Sequence, residues 1–439
     1  MAVTAPPRPP RVRGFDESEQ LEALIKEARR RARLRRLRYA TCVVLVASAG
    51  SAAVLGPGGG GGAGGSAAPE PAAAATHEIK LAGPRLAYVP QGSGVLYVTE
   101  PDGSGSRALA ACPRTTTKVC VITNPVWSPD GREIAFLRGR PTLSRKHPGA
   151  LALYVIGLDG RGERRLSECG GLDRACGMRW GSRLSWSRDG SQMAFSRGGT
   201  ISVIDVESGR VRRLTRCGRG CFDVDPTWSP DQTSIAFTRV MEKEWLGDVH
   251  RVSVSRPRLV WLAIYGRNPA WAPDGRTLLV ETFEGLVRVA ADGSQATVTA
   301  PQHVGGAGMS GSLSPDGSRV LYFSPRQYGR FYGSELWTMR SNGTRRMRLY
   351  SGPCCPTKPV WSADGTRVAF STFDLGRSNR GATVWTADGT RAATFDRRRG
   401  NRGGTFVVDA DGTQLRNLMH QTAELAWQPT PALPEETHR

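Results

Sequence analysis

The chain has 439 residues, with 60 Lys and Arg against 39 Asp and Glu and a formal net charge of +21. Its 53 glycines and 29 prolines, with few long apolar periods, argue against two or three ordinary domains and for one large all-β unit with many turns. A cationic excess of this size suits an anionic partner, although nearly all of it is Arg, which genome base composition also produces.

The N-terminal stretch differs from the rest and reads as targeting and tethering sequence. DESEQLEALIKEARRRARLRRLR opens with Asp16 and Glu19 at capping-box spacing, and Leu21, Leu24, Ile25, Ala28 and Ala32 recur on one helical face. Residues 1–38 are therefore expected to form a basic cytosolic segment with a short amphipathic helix. Arg29, Arg30, Arg31, Arg33, Arg35, Arg36 and Arg38 lead into an uncharged apolar run from Tyr39 to Leu55. That run sits at the short end of the roughly 17–25 residues a membrane helix needs. The arginines before it hold that side in the cytoplasm. Residues 39–56 thus read as a single-pass signal-anchor of a bacterial-type cytoplasmic membrane, with everything after it exported. A cleaved signal peptide is the rival, since Ser51, Ala52 and Ala53 offer a cleavage point, and it would make the protein secreted. Residues 57–78, rich in Gly, Ala and Pro, form a flexible linker with a reach of about 25 Å.

Internal repetition dominates the remainder, residues 79–430, before a short tail at 431–439. NPVWSPDGREIAF from Asn124, RLSWSRDGSQMAF from Arg183, DPTWSPDQTSIAF from Asp225, NPAWAPDGRTLLV from Asn268 and KPVWSADGTRVAF from Lys358 share one pattern, and GSLSPDGSRVLYF from Gly311 is a weaker copy. Trp186, Trp228, Trp271 and Leu313 lie 42 or 43 residues apart, the length of one four-stranded propeller blade. Residues up to the Trp form an inner strand whose indole fills space between neighbouring blades. Ser-Pro-Asp-Gly closes a hairpin, with Pro presetting φ, Asp capping the turn and Gly taking positive φ. Asp130, Asp189, Asp231, Asp274, Asp316 and Asp364 are on this reading turn residues, not a carboxylate site. Trp127, Trp186, Trp228, Trp271, Leu313, Trp361 and Trp427 count seven blades. VWTADGTRAA from Val384 mimics VWSADGTRVA from Val360, so six to eight remain open. The incomplete motif at Trp427 and the Trp-less strands near residues 84–103 are expected to join as one closing blade.

These residues resemble the TolB-type propeller repeat, a relative of the WD-type repeats, over roughly residues 80–430. The resemblance implies an all-β propeller and a binding role without catalysis. TolB itself carries a six-bladed propeller behind a small α/β domain that this sequence lacks, so its partner does not carry over.

Apart from Cys42, the cysteines fall in four local pairs, Cys112 and Cys120, Cys169 and Cys176, Cys217 and Cys221, Cys354 and Cys355. Each lies between the fourth strand of one blade and the Trp strand of the next. Even numbers in an exported chain argue for disulfides stapling these connections, Cys354 and Cys355 in a strained vicinal bridge if they bond to each other. Metal binding, the rival, lacks zinc-finger spacing and accompanying histidines. The long loops on that face are expected to carry binding. They include Arg138, Arg140, Arg145 and Lys146, then Arg326, Tyr328 and Arg330 beside Phe331 and Tyr332, then Arg397, Arg398, Arg399 and Arg402. Glu242, Glu244, Asp248, Glu281 and Glu284 supply acidic loops next to one another.

Catalytic material is sparse. Histidines at 77, 147, 250, 303, 420 and 438 are scattered, and Gly308, Ser310 and Gly311 approach a nucleophile elbow without matching it. The sequence therefore reads as a non-catalytic protein-interaction or scaffold module at the cell envelope, with no cofactor or metal. Its expected partner is a protein or an anionic envelope component such as a polymer or lipid headgroups, not nucleic acid. The alternative is a carbohydrate-active or hydrolytic propeller, which requires a His or carboxylate cluster at the mouth of the central channel.

Overall fold

The computed structural model describes residues 85–90, 93–113, 120–140, 150–168, 183–218, 220–241, 247–282, 285–301, 311–328, 331–353, 359–373, 383–385, 391–394, 403–419 and 423–429. The chain divides into two units, Met1–Glu78 and Ile79–Arg439, and every described residue belongs to the second. The cytosolic segment, signal-anchor, linker and tail of the sequence reading lie outside the described residues. All regular elements among those described are strands, and none of them includes a helix long and apolar enough to cross a membrane.

Short antiparallel sheets succeed one another along the chain. β1 (Leu86–Pro90), β2 (Val95–Thr99) and β3 (Arg107–Ala111) begin the first. β4 (Val121–Trp127), β5 (Glu133–Arg140), β6 (Ala150–Gly157) and β7 (Arg164–Glu168) form the second, and β8 (Ser185–Trp186), β9 (Gln192–Arg197), β10 (Thr200–Asp205) and β11 (Val211–Arg213) the third. β12 (Cys221–Trp228), β13 (Ser234–Met241), β14 (Gly247–Ser253), β15 (Leu259–Trp271), β16 (Thr277–Thr282), β17 (Gly285–Ala290) and β18 (Ala296–Pro301) are continuous. They merge because β15, 13 residues long, pairs with β14 through its first part and with β16 through its last. β19 (Gly311–Leu313), β20 (Arg319–Tyr328), β21 (Phe331–Arg340) and β22 (Met347–Pro353) follow. β23 (Val360–Trp361) and β24 (Arg367–Phe373) then continue into β27 (Gly403–Asp409) and β28 (Arg416–Met419), with β25 (Thr383–Trp385) and β26 (Arg391–Thr394) inserted between. The Val384 copy of the motif thus begins no sheet of its own. β25 and β26 form a hairpin on the outer edge of β22, where Ser351 pairs with Trp385.

β29 (Ala423–Trp427) returns to the start of the domain and pairs with β1 from Leu86↔Trp427 to Pro90↔Ala423, giving the order β29-β1-β2-β3. The first sheet is therefore assembled from both ends of the domain.

Hydrogen bonds explain why the tetrapeptide turn recurs. In the first copy Gly131 N–H donates to Ser128 O (2.9 Å), Ser128 N–H to Glu133 O (2.9 Å) and Glu133 N–H to Ser128 Oγ (2.9 Å). The Ser128 hydroxyl donates to Asp130 Oδ1 (2.6 Å), which also accepts Arg132 N–H (3.1 Å). Ser187, Ser229, Ser314 and Ser362 donate to their aspartates in the same way. The turn glycines take φ of 66–73°, and Gln232 is held at 60° where that copy lacks its Gly. At Asp316 the Ser314 hydroxyl, then the Ser318 hydroxyl and backbone N–H, draw the carboxyl down to about 2.

Three sets of bonds join consecutive repeats. Indole N–H groups donate to the carbonyl just before the corresponding Trp or Leu of the preceding repeat: Trp186 to Val126 O (3.4 Å), Trp271 to Thr227 O (3.1 Å) and Trp361 to Ser312 O (3.3 Å). Trp127 to Ala426 O (3.0 Å) carries the series across the closure. On the next strand, the residue after the buried aromatic bonds forward: Ser196 Oγ donates to Asp223 O, while Thr238 Oγ1 accepts Asn268 N–H (3.2 Å) and Ser371 Oγ accepts Ala423 N–H (3.1 Å). Farther out, guanidinium groups of Arg107, Arg164, Arg212 and Arg319 donate to Leu158 O, Val206 O, Val254 O and Ala410 O on the following sheet. Between these bonds lie apolar seams built around Phe136, Phe195, Phe237, Phe370 and Phe406, all fully buried.

Two consequences are measurable. Trp127→Phe removes an N–H with an acceptor, whereas Trp228→Phe removes a buried N–H that has none among the described residues. Urea unfolding is expected to show Trp127→Phe about 1 kcal/mol more damaging than Trp228→Phe. For Asp316, a carboxyl depressed in the fold stabilises it above the ordinary value of 3.8 and loses that contribution as pH falls towards about 2. Asp316→Asn is expected to be less stable than the native chain at neutral pH, with the gap closing over that interval. A gap independent of pH contradicts the assignment.

Candidate functional site

The strands carry a set of charged side chains, most of them buried or half-buried, that are engaged with neighbouring groups. On β12 the Asp223 carboxylate is fully buried and held two-pronged by Arg239 of β13, Nε to Oδ1 at 2.7 Å and Nη2 to Oδ2 at 2.9 Å. The Asp223 bonds raise the Arg239 guanidinium above its ordinary value. His250, the one histidine among the described residues, stacks on Phe237 with ring centroids 5.7 Å apart. Burial, assisted by the Arg239 cation, lowers its pKa, so the ring is neutral at neutral pH.

The neighbouring repeat places Glu281 of β16 in the position that Ser196, Thr238 and Ser371 occupy elsewhere. This carboxylate is 4% exposed and accepts Asn268 Nδ2 (2.9 Å), Arg267 Nε (3.2 Å) and Gly311 N–H (3.2 Å). The expected acidic loop therefore loses Glu281, which is a strand residue acting as a bolt to the next sheet. Glu335 accepts Trp337 Nε1 (3.1 Å) and Arg348 Nη1 (3.3 Å). Glu424 accepts the Thr123 hydroxyl (2.7 Å) and Asn124 N–H across the closure. Asn124, Asp225 and Asn268 each take φ of 53° beside a register shift in the inner strand, which turns their backbone N–H out of the ladder. A polar residue follows the buried aromatic of the second strand in other copies, and Glu281 follows Val280 at that place, which was the available sequence signal for it. Glu424 gave none.

Of the residues expected to bind, Arg138 lies on β5 and is committed to its surroundings. It donates to Glu163 at 2.6 and 2.9 Å and lies 4.0 Å from the Tyr154 ring centroid. Arg140 ends the same strand and is exposed. Arg326 and Tyr328 lie in β20, opposite Gly333 and Phe331. Arg145, Lys146, Arg330, Arg397, Arg398, Arg399 and Arg402 lie outside the described residues. Cys112 and Cys120 are disulfide-bonded with Cα atoms 6.0 Å apart, as are Cys217 and Cys221 at 5.5 Å. A Cβ at Gly94 would fall 2.9 Å from Cys112 Sγ, so the first bridge needs glycine there. Cys169, Cys176, Cys354 and Cys355 lie outside the described residues. The sulfurs of Cys217 and Cys221 and the Asp223 carboxylate lie within 4.8 Å of one another. The disulfide and Arg239 occupy these atoms, so the trio offers no metal site as it stands. On the opposite, turn-bearing side, Arg319, Thr366, Arg367, Asp409, Ala410 and Asp411 line an open groove of about 360 Å³.

Residues 82–302, half of the chain, match the TolB beta propeller domain family, and the chain belongs to that family. Among solved structures it is similar to TolB from Acinetobacter baumannii, at 17% identity and TM-score 0.44, covering 79% of this chain and 67% of that one. It is similar to an oligogalacturonate lyase from Vibrio parahaemolyticus at 14% identity and TM-score 0.50, covering 76% and 85%. A prolyl endopeptidase matches at 12% identity and TM-score 0.51, over 80% of this chain and 51% of that one. At these identities the likeness is one of fold.

Arg239→Ala leaves the buried Asp223 carboxylate without its partner and is expected to cost about 3–5 kcal/mol in chemical unfolding. Asp223→Asn combined with Arg239→Gln is expected to recover part of that loss. A double variant no better than the single one refutes the assignment of the cost to the unpaired charge.

Proposed function

We propose that the chain is a membrane-tethered, extracytoplasmic propeller of seven four-stranded blades, acting as a non-catalytic protein-interaction or scaffold module at the cell envelope. One observation carries this reading. The strand carboxylates Asp223, Glu281, Glu335 and Glu424 are each committed to arginine, indole, amide, hydroxyl or backbone donors within a sheet or across to the next one. An acid or base in catalysis must instead meet its substrate within hydrogen-bond reach. Recognition then falls to the connections between and within the sheets. Seven apolar seams among the described residues support the blade count. Two bridged cysteine pairs support an oxidising, exported location, and the arginine-flanked apolar run Tyr39–Leu55 supports the tether. The basic loops suit an acidic protein surface or an anionic envelope polymer.

The test is crosslinking and capture from envelope membranes with the full chain in mild detergent, native against a variant with Arg397, Arg398 and Arg399 each replaced by Glu. Three reversals at roughly 0.5 kcal/mol apiece are expected to weaken recovery of a specific partner about tenfold. Equal recovery removes this loop from the binding surface. Release of unsaturated uronate products from polygalacturonate by the pure chain transfers the function to the carbohydrate-active alternative.

A further inference from the structure

Sulfur gathers at one end of the β12–β13 hairpin. Cys221 opens β12 and pairs with Met241, the last residue of β13. Residues directly opposite one another in an antiparallel pair leave the sheet on the same face, with Cβ atoms about 4.5–5.5 Å apart. Met241 therefore stands beside the Cys217–Cys221 bridge. It is 46% exposed, where Ile235, Ala236 and Phe237 of the same strand are fully buried, so its thioether contributes little to the core.

The bridge is placed to open, and its surroundings stay assembled when it does. It spans a separation of four residues, so loop closure adds less to its stability than in a longer loop. Both cysteines are half-buried and Gly218 between them is exposed, which leaves the sulfurs within reach of a small reductant. The chain before Cys217 is fastened independently of the bridge. Arg239 Nη2 donates to Arg216 O (3.1 Å) as well as to Asp223 Oδ2 (2.9 Å), and Thr215 Oγ1 accepts Ile201 N–H (2.9 Å). Opening the bridge thus leaves two thiols side by side with a thioether, while Asp223 stays with Arg239.

Two thiolates and a thioether form a soft donor set, which selects Cu(I) over harder divalent cations. We propose that the reduced chain binds one Cu(I) ion through Cys217 Sγ, Cys221 Sγ and Met241 Sδ. A dithiol reductant supplies the two electrons and two protons that convert the bridge into two thiols, and leaves as its own disulfide. The two thiols release their protons to solvent as the ion binds. Arg216 and Arg219 place positive charge in the same segment and offset the anionic dithiolate complex.

The full chain in mild detergent is reduced with a phosphine, freed of it under argon and equilibrated with Cu(I) held by bicinchoninate, a coloured chelator. The reduced native chain is expected to withdraw one more copper ion than reduced Cys217→Ser with Cys221→Ser, whose other cysteines are unchanged. When oxidised, the same two proteins are expected not to differ. Met241→Leu keeps every thiol and is expected to weaken that ion about tenfold, with an unchanged circular dichroism spectrum. This variant is decisive where the serine pair perturbs folding. Zn(II) in equal amount is expected not to displace the ion. Equal uptake by the native and serine-pair chains, unchanged affinity in Met241→Leu, an extra ion that persists in the oxidised chain, or displacement by Zn(II) each overturn the proposal.

Discussion

A propeller-like ring of sheets survives only if each sheet is tied to the next, because a four-stranded sheet of this size buries too little surface to stand alone. Here the tie is an indole whose N–H reaches the main chain of the neighbouring repeat, four times among the described residues, one of them across the closure. The same ring fills the gap between sheets that diverge from the centre. One side chain thus supplies both buried area and direction, which explains its return in six of the seven repeats more directly than any property of the strand containing it.

The cationic excess also has a structural share. Arg107, Arg164, Arg212 and Arg319 donate across sheet boundaries to carbonyls, and Arg138 and Arg239 neutralise carboxylates. A planar guanidinium spans such boundaries with several donors while keeping its aliphatic stem against apolar surface. The net charge therefore overstates the charge available to a partner, and these six side chains serve cohesion first.

Much of the architecture was legible because the repeat writes it several times. The Trp-strand, the Ser-Pro-Asp-Gly hairpin and the pairing of the two ends follow from spacing and turn chemistry that six or seven copies reinforce. The imitation at Val384 misleads for a physical reason: hairpin chemistry specifies a turn, not its place in a ring, and β25–β26 uses the same residues to lie on the edge of β22. Glu281 reads in the sequence as a loop acid because a carboxylate in a buried strand is rare. Its environment, three donors from two other strands, exists only after folding. Glu424 and Asn124, 300 positions apart, meet only because the domain closes on itself.

That closure fixes an order of events in the life of the chain. β1 is synthesised more than 300 residues before β29, so Leu86–Pro90 keeps one unsatisfied edge until the last strand of the domain has emerged. During that interval the first sheet is a three-stranded remnant, and the acceptor for the Trp127 indole, Ala426 O, does not yet exist. Loss of the final 17 residues, from Ala423 on, would reach far beyond the missing strand, since it would leave the molecule an open chain of sheets with two sticky ends rather than a shorter version of the same ring.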